Sequence, residues 1–227
     1  MSTCPSRLPR AMMPREKLLS HGPQTLADTE LLALFLRTGV AGKNVFELAD
    51  ELLQHFHGLA GLVRASAEEL ARFKGLGGDA KRAQLIAVLE ITRRAMTQEL
   101  QAQPVMNSPK IVKAFLQIEL GALAHEIFGV LFLDNQNRLI EFQPMFRGSL
   151  TQTMVYPREI AKVALQLGAN GVVLAHNHPS GQVTPSRNDL DLTQNLRQSL
   201  ALVDVHVRDH IIVAQGQSFS MAEAGML

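Results

Sequence analysis

The chain is almost without cysteine: Cys4 stands alone among 227 residues. A single thiol cannot build a disulfide framework, and it excludes any metal site made of several thiolates. Long apolar runs are missing as well. None approaches the roughly 18 residues needed to cross a membrane, so no membrane association is expected. Residues 1–14 carry Arg7, Arg10 and three prolines but no apolar signal core, which makes a cytoplasmic, reducing location the expectation. An excess of either charge is also lacking: the formal net charge is +1. Residues 1–103 hold 13 Lys+Arg against 11 Asp+Glu, and the remainder 9 against 10. Charge alone therefore does not announce nucleic acid.

What is present describes a globular protein. Hydrophobic residues make up 46% and charged residues 19% of the chain, and the length suits one large domain or two small ones. Residues 15–98 read as short helices. Asp28-Thr29-Glu30 precedes the apolar run 31–36, closed by Thr38-Gly39. Val45, Leu48, Ala49, Leu52 and Leu53 recur at the spacing of one helix face. Ser66 with Glu69 has the form of a capping box. A glycine hairpin, Phe73-Lys74-Gly75-Leu76-Gly77-Gly78, leads into a long helix from Ala80 to about Glu99. Residues 99–108 lose the periodicity and include Pro104, which sets the expected boundary between a helical domain, 1–103, and a second domain, 105–227.

The second domain opens with a helix from Ser108-Pro109 to about Leu120, capped by Asn107 or Ser108. The pattern then changes to strands. Residues 127–133 read as a buried strand, 134–137 as a turn and 138–146 as its hairpin partner. A helix follows from Tyr156-Pro157 to Leu167, ended by Gly168 and Asn170. A helix from Pro185 to about Leu202 and strands at 203–207 and 210–213 complete a three-layer α/β arrangement with a mixed sheet.

Residues 171–189 between those helices carry the chemistry. The apolar run Val172-Val173-Leu174-Ala175 leads into His176-Asn177-His178. Side chains alternate along a strand, so both imidazoles leave on one side. A Pro-Ser-Gly turn stops the strand, Thr184-Pro185-Ser186 opens a helix, and Asp189 falls in its first turn. Two imidazoles and a carboxylate at a strand's end are the ligand set of a catalytic zinc, which leaves its fourth position to water. Iron accepts the same set, but nothing in the sequence points to an oxygenase cosubstrate. Zinc nucleobase deaminases share a similar layered fold yet need a Cys-x-x-Cys, which a single cysteine cannot supply. The competing reading makes His176 and His178 packed core residues, and Ser186 with Asp189 only a helix cap. A second His-x-His, His55-Phe56-His57, sits at a helix end with no carboxylate in register and reads as a helix closure. His125 reads as surface.

His176, His178, Ser186 and Asp189 match the His-x-His…Ser-x-x-Asp signature of JAMM metalloproteases, the JAB/MPN family. The chain resembles the bacterial RadC-like proteins more closely still, through His-Asn-His-Pro-Ser-Gly, Pro-Arg-Glu-Lys-Leu-Leu at 14–19 and the run from Glu30 to Gly39. That resemblance covers nearly everything after residue 13. It implies a cytidine-deaminase-like α/β fold binding Zn²⁺ through His176, His178 and Asp189. It further implies that Glu126 is the acid/base residue and that Ser186 donates to the oxyanion. The reaction implied is hydrolysis of a peptide or isopeptide bond. The glycine hairpin, about 73–83, resembles a helix-hairpin-helix, in which helix-start amides hold a DNA phosphate, with Lys74, Lys81 and Arg82 nearby. However, Lys81 occupies the place where that pattern wants a small residue, so a plain connection between packed helices is the rival reading. Two further functional readings stay open: a DNA-associated module with a structural or vestigial metal, in keeping with the family's traditional DNA-repair description, and an interaction scaffold.

Overall fold

The computed structural model describes residues 13–227, except 66, 74, 75, 77, 122, 149–154 and 215; of 60 and 64 it describes the main chain alone. The chain forms two compact units, Met1–Val88 and Leu89–Leu227. They divide inside a helix, upstream of the composition change at 99–108.

The first unit is helical, with α1 (Pro14–His21), α2 (Asp28–Leu36), α3 (Val45–His55), α4 (Leu59–Arg64), α5 (Ala67–Arg72) and the start of α6 (Asp79–Ala102). Local chemistry sets the helix starts. The Glu30 carboxylate accepts the Ala27 amide at 2.8 Å and the Lys17 ammonium at 2.7 Å, which ties α1 to the start of α2. Asn44 caps α3 by accepting from the amides of Phe46 and Glu47, and Glu47 returns the bond to the Asn44 amide. The periodic face of α3, Leu48, Ala49 and Leu52, is buried with Leu32, Leu36, Leu62, Leu70, Leu76 and Leu85. The expected cap residue Ser66 lies outside the described residues.

The second unit packs helices on both faces of a mixed sheet. Its strands are β1 (Ile127–Leu133), β2 (Leu139–Arg147), β3 (Gly171–Asn177), β4 (His206–Ala214) and β5 (Gln217–Ser220), in the order β2-β1-β3-β4-β5. β1 runs antiparallel to both β2 and β3, β3 is parallel to β4, and β4 is antiparallel to β5. The parallel pair is joined through α9 (Arg187–Ala201), because neighbours pointing the same way need a crossover rather than a hairpin. α7 (Pro109–Glu119) lies on one face with Leu131, Leu133, Val173 and Ala175. α8 (Pro157–Leu167) and α9 lie on the other with Phe128, Val130, Phe132, Val172 and Leu174. Being covered on both sides, β1 and β3 are apolar without alternation, which is why they are legible as continuous runs. Glycine at 129 leaves room for the Phe142 ring: a Cβ there would lie 2.7 Å from it and push it aside. No helix among the described residues is long and apolar enough to cross a membrane.

The C-terminal strands differ from the expectation. Instead of two strands at 203–207 and 210–213, one strand, β4, runs through Arg208 and Asp209, and β5 follows it. The polar pair does not break the strand because Asp209 is fully partnered in the interior. Its carboxylate accepts from the His210 amide, the Ala222 amide and the Ser220 hydroxyl. Helix α6 likewise runs on to Ala102, into the stretch where the periodicity fades.

Candidate metal centre

The candidate ligands meet where β3 ends and α9 begins. Antiparallel pairing sets His176 opposite Phe128, with the two rings stacked at 8°. The His178 amide bonds the Val213 carbonyl at 2.9 Å, which keeps both imidazoles on the α9 side. His178 then turns back on itself, with Gly181, at φ 86°, donating to its carbonyl. Glycine fits there because a left-handed φ crowds any Cβ.

His176 Nε2 lies 2.9 Å from His178 Nε2, 3.3 Å from Asp189 Oδ1, and His178 Nε2 lies 3.7 Å from Asp189 Oδ2. The candidate ligand atoms of the three residues all fall within 4.8 Å of one another. The side chain of His176 is 1% exposed, that of Asp189 13% and that of His178 18%, so the cluster is sunk into the protein with one side open. Burial pushes the Asp189 carboxyl up. When the His176 ring is protonated, its hydrogen bond and charge, with the Ser186 hydroxyl and amide, outweigh burial and hold the carboxyl well below the usual carboxylate range.

The donor set fits a cation. His178 Nδ1 sits 2.7 Å from the Gln182 carbonyl, which can only accept, so this nitrogen carries a proton and Nε2 of the neutral ring is a bare lone pair. That lone pair faces a second imidazole nitrogen and a carboxylate, groups that attract a positive ion and repel one another.

The structure also places the other expected residues. Ser186 is the N-cap of α9: its hydroxyl donates to Asp189 Oδ2 at 2.6 Å and accepts the Asp189 amide at 3.2 Å, while Asp189 Oδ2 accepts the Ser186 amide at 2.7 Å. The cap and the candidate ligand are thus the same carboxylate. Glu126 directly precedes β1 and lines, with His125, Arg147, Gly148, His178, Pro179 and Ser180, a cavity of about 740 Å³. Its segment is held by Asn177, which points away from the two histidines. The Asn177 amide group donates to the carbonyls of Leu123 and His125, and its oxygen accepts the Ile127 amide.

Residues that sequence reasoning missed stand behind the candidate ligands. His210, on β4, lies 2.8 Å from His176 Nδ1 through its Nε2. Thr193, on α9, lies 2.5 Å from His210 Nδ1 and 2.5 Å from the Asp189 carbonyl. In the sequence His210 reads only as one residue of a strand, and no spacing connects it to His176. In the first unit, the second His-x-His closes α3: the His55 ring packs on Phe56 and Phe73, and His57 adopts φ 56°. Of the expected DNA contacts, Lys74 lies outside the described residues. Lys81 donates to the carbonyls of Thr38 and Gly39, and Arg82 pairs with Asp79.

Comparison with known proteins agrees with this architecture. Residues 106–226 match the family model described as RadC-like JAB domain, and residues 6–83 match that described as UPF0758 N-terminal. The chain belongs to the RadC-like UPF0758 family. A UPF0758 protein of Variovorax paradoxus (strain S110) is 60% identical over 220 residues, covering 97% of this chain and 98% of the relative. UPF0758 proteins of Verminephrobacter eiseniae (strain EF01-2) and Polaromonas sp. (strain JS666 / ATCC BAA-500) are 57% and 56% identical, with the same two coverages. The second unit of this UPF0758 member is accordingly an α/β domain of the JAB/MPN kind, preceded by a helical region, and its His-His-Asp cluster is suited to a metal.

Proposed function

We propose that this UPF0758 member is a zinc-dependent hydrolase of JAMM type that cleaves a peptide or isopeptide bond. The observation that carries the reading is the convergence of His176, His178 and Asp189 beside a cavity that Glu126 also lines. His176, His178 and Asp189 would hold the zinc, and bound zinc supplies Lewis acidity and draws the pKa of water toward neutrality. Glu126 takes a proton from the attacking water and returns it to the departing amine, so that the C–N bond breaks as a C–O bond forms. Ser186, whose hydroxyl otherwise rests on Asp189, donates to the oxygen on which charge develops. The rival reading, DNA held by the helical unit, is weaker because Lys81 and Arg82 already have partners within that unit.

The test is metal content of the purified chain, with His178→Ala and Glu126→Ala beside it. The expected result is about one zinc per wild-type chain, lost in His178→Ala and kept in Glu126→Ala. Hydrolysis of a pooled library of peptide and isopeptide substrates should then be lost in both variants. A wild-type chain that takes up no zinc from excess would overturn the reading.

A further inference from the structure

We infer that Thr193 and His210 are positioning residues which fix the tautomer of His176 and so present its Nε2 to the metal. The inference rests on the metal site proposed above and adds two residues to it.

The argument is one of proton counting along a chain of short contacts. It starts at the main-chain carbonyl of Asp189, which can only accept. Thr193 Oγ1 lies 2.5 Å from that oxygen and has a single proton, which it therefore gives there. With its proton committed, the hydroxyl can only accept along its other short contact, from His210 Nδ1 at 2.5 Å. His210 Nδ1 thus carries a proton. The ring is fully enclosed, 0% exposed, and is packed edge-on against Phe128. A second proton would leave a cation in this enclosed, largely apolar setting, which burial disfavours. Its Nε2 is therefore a lone pair. At 2.8 Å that lone pair accepts from His176 Nδ1, and in the neutral, metal-binding form of His176 the remaining nitrogen, Nε2, is left bare. It is this atom that faces His178 Nε2 and Asp189.

The relay closes on itself. It begins at the backbone of one ligand, Asp189, passes through α9 and β4, and ends on the ring of another, His176. His178 reaches the same tautomer by a separate route, through the Gln182 carbonyl. Metal-binding histidines commonly have the second ring nitrogen held in this way, and losing such a partner typically costs about 10–100-fold in metal affinity.

The experiment has two arms on the full chain. Nitrogen-15 NMR of the histidine rings in the metal-free protein reads the tautomers directly. Zinc affinity, by competition with a chromogenic chelator, is compared for wild type, Thr193→Val, Thr193→Ser, His210→Leu and His210→Gln. The expected results are a His176 ring protonated on Nδ1, and affinity about 10–100-fold weaker in Thr193→Val and His210→Leu. Thr193→Ser keeps the hydroxyl and should stay near wild type. His210→Gln keeps an acceptor near the position of Nε2 and should recover part of the loss, which separates a proton-directing role from mere space filling. His176 protonated on Nε2, or zinc affinity within about two-fold of wild type in both Thr193→Val and His210→Leu, would overturn the inference while leaving the metal site standing. A wild type that binds no zinc would instead remove the hydrolase reading, with the tautomer still settled by the NMR arm. If His210→Leu fails to fold, Thr193→Val and the ring spectra decide alone.

Discussion

Replacing Ser186 and Asp189 separately should split one carboxylate's two roles, as helix cap and as proposed metal ligand. The bonds are unequal. The Ser186 hydroxyl accepts the Asp189 amide at a long 3.2 Å, whereas Asp189 Oδ2 accepts the Ser186 amide at 2.7 Å with a full negative charge. Ser186→Ala loses that long bond and the hydroxyl's 2.6 Å donation to Oδ2, and should cost about 1 kcal/mol of metal-free stability. Asp189→Ala should cost more, about 1–2 kcal/mol, since the charge-assisted half of the box goes with it. Zinc at a hundredfold excess over its dissociation constant adds about 2.7 kcal/mol to any chain that binds it when folded. Ser186→Ala should keep nearly all of that increment and Asp189→Ala should lose it. Urea unfolding with and without zinc, supported by hydrogen exchange at the amides of Asp189 and Leu190, measures both quantities. An unchanged metal-free stability in both variants would refute the capping argument. A zinc increment that survives in Asp189→Ala would refute the ligand assignment.

Two further outcomes follow from the same geometry. Asn177→Ala removes three hydrogen bonds to residues 123–127, so it should cost about 2–4 kcal/mol by urea unfolding; it should also retain zinc and lower hydrolysis, because Glu126 sits on the released segment. An Asn177→Ala chain with wild-type activity would show that this segment holds its place unaided. Glu119 has its carboxyl pushed up by burial, which the charge of Arg93 only partly opposes. A raised folded-state pKa means that its contribution is favourable below the ordinary glutamate value and is lost as pH rises through the folded value. Glu119→Gln should therefore raise Tm at pH 7 and change it little near pH 4, and a lower Tm at pH 7 would contradict the assignment.

The centre of the molecule was legible in the sequence for a physical reason. β1 and β3 are covered on both faces, so their apolar runs stand out, and the period of two along β3 sends His176 and His178 one way and Asn177 the other. Ser186 and Asp189 were legible because a capping box is a local pattern. The unread parts are those in which distant residues meet. Asp209 looked like a strand break because Ser220 and the Ala222 amide, which satisfy it, come later in the chain. β5 is short and mostly polar, with Phe219 its one large apolar residue, and its pairing with β4 cannot be read from its own composition. His210 and Thr193 meet His176 only through the parallel register of β3 with β4 and the placement of α9 above them. Nothing local distinguishes a histidine that supports a ligand from one that fills a core.

The crossover from β3 through α9 to β4 has a consequence for the order of assembly. Neither a hairpin nor any short segment contains the candidate metal cluster together with His210: His176 and His178 precede the helix, Asp189 lies at its start, and His210 arrives on the returning strand. Closing that loop before its contacts form is entropically unfavourable. A zinc ion meeting the nascent or unfolded chain would find the three candidate ligands in one short segment, 176–189, but without the His210 ring behind His176. Full zinc affinity should therefore appear during refolding only once β3 and β4 have paired, so zinc uptake would report the completion of the parallel pair.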